Sequence, residues 1–237
     1  APSGATSQGR SALCDPSNSH VTNAERRIAS PAPSAPRSRR AHALVTRLQA
    51  LGELDEAHGP HFTFNDKLPV PALKAGADIV IHSTHKTLPS FTQTSMIHVG
   101  TDRIDLNKLR DRYQLYTTTS PSYLFTLSNE LAVSYMDSQE GRERLEWSIK
   151  KVDEVIERLN KIPRVEVFTG DPEDPTIYSK DNTKILITID GIRGSMVKKK
   201  LRTDYNIRLE MADFYYALIL TSLMNDDDDY EKVIAAI

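Results

Sequence analysis

A single cysteine, Cys14, stands in 237 residues, which excludes an internal disulfide framework and any zinc site built on several thiolates. Long apolar runs are missing too: none approaches the ~20 residues that an α-helix needs to cross a bilayer. Net charge is small as well: 30 basic against 32 acidic residues give −2. The balance is uneven along the chain. Residues 1–50 carry 7 Arg, no Lys and only Asp15 and Glu25, a balance of +5, which leaves 23 basic against 30 acidic residues in 51–237. A mildly acidic body argues against nucleic acid as the main partner, because phosphate binding needs clustered cations.

The first forty residues have no helical or strand period. Ser30 to Arg40, SPAPSAPRSRR, holds too little apolar area to offset the entropy of ordering it. A tail over 1–42 is expected, either disordered or unrelated to the body. Its Arg- and Ser-rich, acid-poor composition also suits an organelle transit peptide. A cytoplasmic location is the default expectation, with an organelle the alternative.

Beyond Ala41 the pattern changes. Leu44, Val45, Leu48 and Leu51 have helical spacing up to Gly52. Ala77 to His82 and Thr94 to Val99 read as strands, Leu106 to Leu115 as a helix. Pro121 to Met136 reads as a helix with Ser120 as N-cap and proline in its first turn. Leu145, Ile149, Val152, Ile156 and Leu159 step 4, 3, 4, 3, an amphipathic stripe that Pro163 ends. Val165 to Phe168 and Ile185 to Ile189 read as strands, Met196, Val197 and Leu201 as part of a helix. Tyr216 to Leu220 reads as a strand and Tyr230 to Ile237 as a helix, with Asp226 to Asp229 a solvated acidic turn. This alternation predicts an α/β protein. The expected division is a tail over 1–42, a first lobe over 43–140, a connecting helix over 141–162 and a second lobe over 163–237.

Candidate chemistry is concentrated between Asp55 and Ser122. Leu54 to Gly59, LDEAHG, is open to three readings. A helicase magnesium box needs a GxxxxGK[ST] phosphate loop upstream, and the chain has none. An acidic residue at the carboxyl end of a strand, aimed into a cofactor cleft, suits open α/β sheets. A polar turn is the plain alternative. In Ala77 to Pro89 an apolar strand runs into a polar cluster that holds Ser83, His85 and Lys86. A lysine just off a buried strand is placed for Schiff-base chemistry, since desolvation and neighbouring cations favour the free amine. A solvated cap is the plain alternative for Lys86. His82 and His85 have no third metal ligand at suitable spacing.

The two stretches together are more specific. An Asp followed about thirty residues later by Ser-x-His-Lys is the layout of fold-type I pyridoxal-phosphate enzymes. DEAHGPHF (Asp55 to Phe62), GADIVIHSTHKTLPSFTQTSMIHV (Gly76 to Val99) and YTTTSPSYL (Tyr116 to Leu124) resemble the Orn/Lys/Arg decarboxylase family. DNTKILI (Asp181 to Ile187) and IRLEMAD (Ile207 to Asp213) extend the resemblance over about 53–237. It implies an α/β fold: part of a fold-type I large domain plus the start of a smaller C-terminal α/β domain. It implies pyridoxal 5'-phosphate as cofactor, and decarboxylation of lysine, ornithine or arginine to a diamine or agmatine. By the same resemblance Lys86 carries the Schiff base and Asp55 pairs with the pyridine nitrogen. Ser83 and His85 sit around the phosphate or the ring, and His58 lies near the cofactor or substrate entrance. The family's site forms between subunits, so a homodimer or higher homo-oligomer is implied, with Thr119 and Ser120 reaching the neighbouring subunit's phosphate.

Family members carry a further half of the large domain ahead of the DEAHG motif. A fragment is therefore expected, with an incomplete sheet and apolar edges. The alternative to an active decarboxylase is a truncated, catalytically silent piece that at most associates with a partner subunit. Nothing in the sequence selects among the three basic amino acids.

Overall fold

A computed structural model describes residues 52–170, 173, 174 and 176–237. The expected tail over 1–42 and the helix proposed from Leu44 lie outside the described residues. Among those described, no helix is long and apolar enough to cross a membrane.

The elements run β1 (Glu53–Asp55), a 3-10 turn (Pro60–Phe64), β2 (Ile79–His82), α1 (Thr84–Thr87), β3 (Met96–Val99), α2 (Leu106–Tyr116), α3 (Tyr123–Asp137) and α4 (Gln139–Leu159). Then follow β4 (Val165–Val167), β5 (Lys184–Ile189), α5 (Gly194–Tyr205), β6 (Met211–Ala212), β7 (Ala217–Leu220) and α6 (Asp227–Ala236). Two sheets result. In the first, ordered β1-β2-β3, β1 pairs parallel with β2 while β3 pairs antiparallel. In the second, ordered β4-β5-β7-β6, every pair is antiparallel. Leu54 and Ile97, on the outer strands of the first sheet, are 40% and 45% exposed.

The stripe on α4 joins two apolar clusters, one on the second sheet and one on α3. Its later residues, Val152, Val155, Ile156 and Leu159, pack with Val165, Ile185, Ile187, Ala217 and Ile219 of the second sheet. Its earlier residues, Leu145 and Ile149, pack with Ala132 and Met136 of α3 and with Leu68, Leu88 and Leu223. One helix thus contributes to two cores. Its start is sharp: the Ser138 hydroxyl accepts from Gly141 N at 3.1 Å and caps the helix. Gly141 is required by close approach, because a Cβ there would stand 2.0 Å from the Tyr135 carbonyl oxygen.

Several expectations need correction. The helix expected from Pro121 begins at Tyr123 with Ser122 at its N-cap, so Pro121 lies before the helix and Ser120 is no cap. Proline disfavours helical backbone in the residue before it, and here the chain turns helical only two residues after it. The acidic stretch is no free turn either. Asp226 caps α6 by accepting from Asp229 N at 3.0 Å, and Asp227, Asp228 and Asp229 form its first turn, where negative charge complements the helix dipole. The strand expected from Thr94 begins at Met96, because Thr94 is buried and its hydroxyl bonds the Phe91 carbonyl at 2.7 Å. The short strand β6 had no legible period.

Candidate active site

Asp55 is the last residue of β1 and His82 the last of β2, and the two strands run parallel with Asp55 opposite Ile81. Their carboxyl ends therefore open to the same side, where α/β sheets place their ligands. The chain leaves β1 through a turn in which the Asp55 carboxylate accepts from Ala57 N at 3.0 Å and Gly59 N donates to the Glu56 carbonyl at 2.9 Å. It leaves β2 through Ser83 into the single helical turn α1, which carries Lys86. Ser83 N donates to the Ala57 carbonyl at 3.3 Å and joins the two exits.

The turn bearing Lys86 is pinned from behind. The buried Thr84 hydroxyl reaches Thr94 Oγ1 at 2.9 Å and Asn129 Oδ1 of α3 at 2.7 Å. His85 Nδ1 donates to the Thr94 carbonyl at 2.7 Å. Lys86 itself is exposed and faces a cavity of about 320 Å³ lined by Asp55, Glu56, Ala57, His58, Gly59, Phe62 and Lys86. Within it Lys86 Nζ lies 3.3 Å from His58 Nε2.

Burial first, and then the charges of Lys184 and Lys86, push the His58 imidazole below its ordinary value, against the opposing pull of Glu210 and Asp181. A neutral His58 accepts the Lys86 hydrogen bond at Nε2 and carries its proton on Nδ1. That nitrogen is buried without a hydrogen-bond partner among the described residues. Lys184 and Asp181 come from the entry to β5. There Asp181 accepts from His61 at 3.3 Å and pairs with Lys184 at 2.8 Å. Burial alone would raise the Asp181 carboxyl, but hydrogen bonds and charge from His61 and Lys184 outweigh it and hold the group well below the usual carboxylate range.

Of the residues singled out in the sequence, Asp55, His58 and Lys86 line one cavity. Ser83 stands at the N-cap of α1 without a side-chain cap bond, and the ring of His85 is tied to Thr94. Thr119 and Ser120 are exposed in the segment between α2 and α3 and are not among the residues that line the cavity. Sequence reasoning passed over Glu56 and Phe62. Phe62 belongs to a 3-10 turn with no helical or strand period to mark it. Glu56 was hidden inside its motif, since the chemistry attributed to LDEAHG was assigned to its neighbour Asp55.

Residues 38–182 match the family model described as Orn/Lys/Arg decarboxylase, major domain. The chain belongs to the Orn/Lys/Arg decarboxylase family. An arginine decarboxylase of Bacillus subtilis is 33% identical over 187 residues, covering 78% of this chain and 38% of that one. This family member therefore spans well under half the length of that curated relative. Among solved structures, the constitutive lysine decarboxylase of Escherichia coli superposes with a TM-score of 0.69 at 16% identity, over 83% of this chain and 34% of that one. An alanine–glyoxylate aminotransferase of Nostoc superposes with a TM-score of 0.60 at 18% identity, over 82% and 55%. Identities this low speak for the fold alone. They agree with the α/β, fold-type I architecture expected for a decarboxylase-family chain.

Proposed function

We propose that this chain binds pyridoxal 5'-phosphate at Lys86 and takes part in decarboxylating a basic amino acid: arginine, lysine or ornithine. The observation that carries the reading is the convergence of Lys86, Asp55 and His58 on one cavity at the carboxyl ends of β1 and β2. The residues fit such a group. The cavity is an open depression of about 320 Å³. It presents an amine, a carboxylate and an imidazole with one buried nitrogen unpartnered among the described residues.

Lys86 is assigned to the aldehyde carbon, Asp55 to the ring nitrogen, and Ser83 and His85 to the surroundings of the phosphate or ring. When bound, the cofactor supplies an aldehyde that condenses with amines and a pyridinium ring that accepts the electron pair left by departing carbon dioxide. Asp55 holds a proton on the ring nitrogen. The neutral His58 accepts from Lys86 Nζ and holds the amine at the cavity wall.

A homodimer or higher homo-oligomer belongs to the same reading. Support comes from an apolar surface on α2 and α3, where Leu115, Tyr116, Tyr123, Leu124, Leu127 and Leu131 are all exposed. Thr119 and Ser120 lie between these helices and are assigned to the neighbouring subunit's phosphate.

The test is release of labelled carbon dioxide from carboxyl-labelled arginine, lysine and ornithine, with cofactor added. Turnover of at least one substrate is expected, and Lys86→Ala should lower it by at least about 10⁴-fold, or ~5 kcal/mol. A folded chain that releases none from all three would favour the silent-fragment reading.

A further inference from the structure

The Glu56 carboxylate, just past the end of β1, is held on both oxygens: Oε2 accepts from His82 Nε2 at 2.8 Å and Oε1 accepts from Ala72 N at 3.0 Å. Both side chains are largely buried, 14% exposed for Glu56 and 8% for His82, so the hydrogen bond between them is poorly screened. The His82 ring also rests edge-on against His98 of β3, with centroids 4.6 Å apart. These contacts join two strand ends. Glu56 follows Asp55 directly, and His82 precedes Lys86 by four residues. The bond therefore runs from the exit that carries the carboxylate to the exit that carries the amine.

A second observation concerns Gly59. Its φ of −111° is open to any residue, so backbone freedom does not explain the glycine. Space does. A Cβ at this position would stand 2.3 Å from Glu56 Cγ, 2.8 Å from Glu56 Cδ and 2.9 Å from Phe62 Cε2. The DEAHG turn thus closes directly over the Glu56 side chain, which in this arrangement bonds His82 and Ala72.

We propose that Glu56 is a positioning residue which, through His82 and the turn ending at Gly59, fixes the gap between Asp55 and Lys86. The role rests on the cofactor reading given above, since the gap matters because a ligand must meet both groups at once. Glu56→Gln keeps the size of the side chain but replaces the charged acceptor. In the full chain it should raise the pyridoxal phosphate concentration needed for half-maximal reductive labelling of Lys86 by about tenfold. His82→Gln should raise it similarly. The double variant should show little further loss, because both changes break one interaction.

A readout independent of cofactor is amide exchange at Ser83, whose N–H bridges to the Ala57 carbonyl between the two exits. Without cofactor it should exchange about tenfold faster in Glu56→Gln than in the parent chain. If Glu56→Gln does not fold, Gly59→Ala serves instead, because it keeps both bonding groups while displacing the Glu56 chain. Unchanged labelling and unchanged Ser83 exchange in a folded variant would overturn the inference. Absence of Lys86 labelling in the parent chain would remove the cofactor reading. The Ser83 comparison would then decide whether the clamp exists: faster exchange supports it, and unchanged exchange refutes it.

Discussion

Asp55→Ala is expected to lower decarboxylation by at least about 10³-fold, or ~4 kcal/mol, while Lys86 still takes up cofactor. The two effects separate because the residues do different work. Lys86 presents the amine, on a turn held by Thr84, Thr94 and Asn129, and none of those contacts involves Asp55. Asp55 lines the opposite strand exit, and among the described residues its carboxylate accepts locally, from Ala57 N at 3.0 Å. Its removal leaves the cavity and the Lys86 turn in place. On the proposed reading, what disappears is the charge that would keep a proton on the ring nitrogen, and with it the electron withdrawal on which carbon dioxide loss would depend. Asp55→Asn keeps the shape without the charge and should fall with alanine, not with the parent chain. The check is turnover measured beside the cofactor absorbance of the same samples. Near-normal turnover in either variant would falsify the assigned role.

The second large effect is on stability. Ile149 is 1% exposed and sits on α4 between Met136, Leu145 and Leu88. Truncation to alanine removes buried methyl groups and leaves a cavity, at a cost of about 2–5 kcal/mol. Because α4 also supplies Val152, Val155, Ile156 and Leu159 to the second core, both cores should lose order together. Urea unfolding followed by far-ultraviolet dichroism and by Trp147 fluorescence should give one shared midpoint, lowered in Ile149→Ala with little change in slope. Two separate midpoints would show that the cores are independent and that α4 does not couple them.

How far the sequence led depends on how local each signal was. The α4 stripe was legible because five apolar residues repeat on one helical face. The strand β2 was legible because a buried apolar run ends in polar residues. Asp55 and Lys86 stood out because their motifs occur together about thirty residues apart, Lys86 just beyond a buried apolar strand. Glu56 did not stand out: its partners, His82 and Ala72, are 26 and 16 residues away, and no periodicity relates them. The His61 contact with Asp181 spans 120 residues and was equally hidden. It reveals how the entry to β5 approaches the site and brings Lys184 within electrostatic reach of His58. Boundaries failed where caps compete. Ser120 and Ser122 both flank Pro121, and composition alone does not show which of them the helix follows. Asp226 to Asp229 read as a loop because charge dominated the local pattern. The structure uses the same charges to begin a helix.

Lys86 is the amine proposed to take the cofactor. This is tested most directly by mixing the purified chain with pyridoxal phosphate, reducing with borohydride and mapping the modified lysines by mass spectrometry. One dominant label on Lys86, lost in Lys86→Ala, is expected. Labels spread over exposed lysines such as Lys108 and Lys200, with Lys86 no more modified than they are, would contradict it.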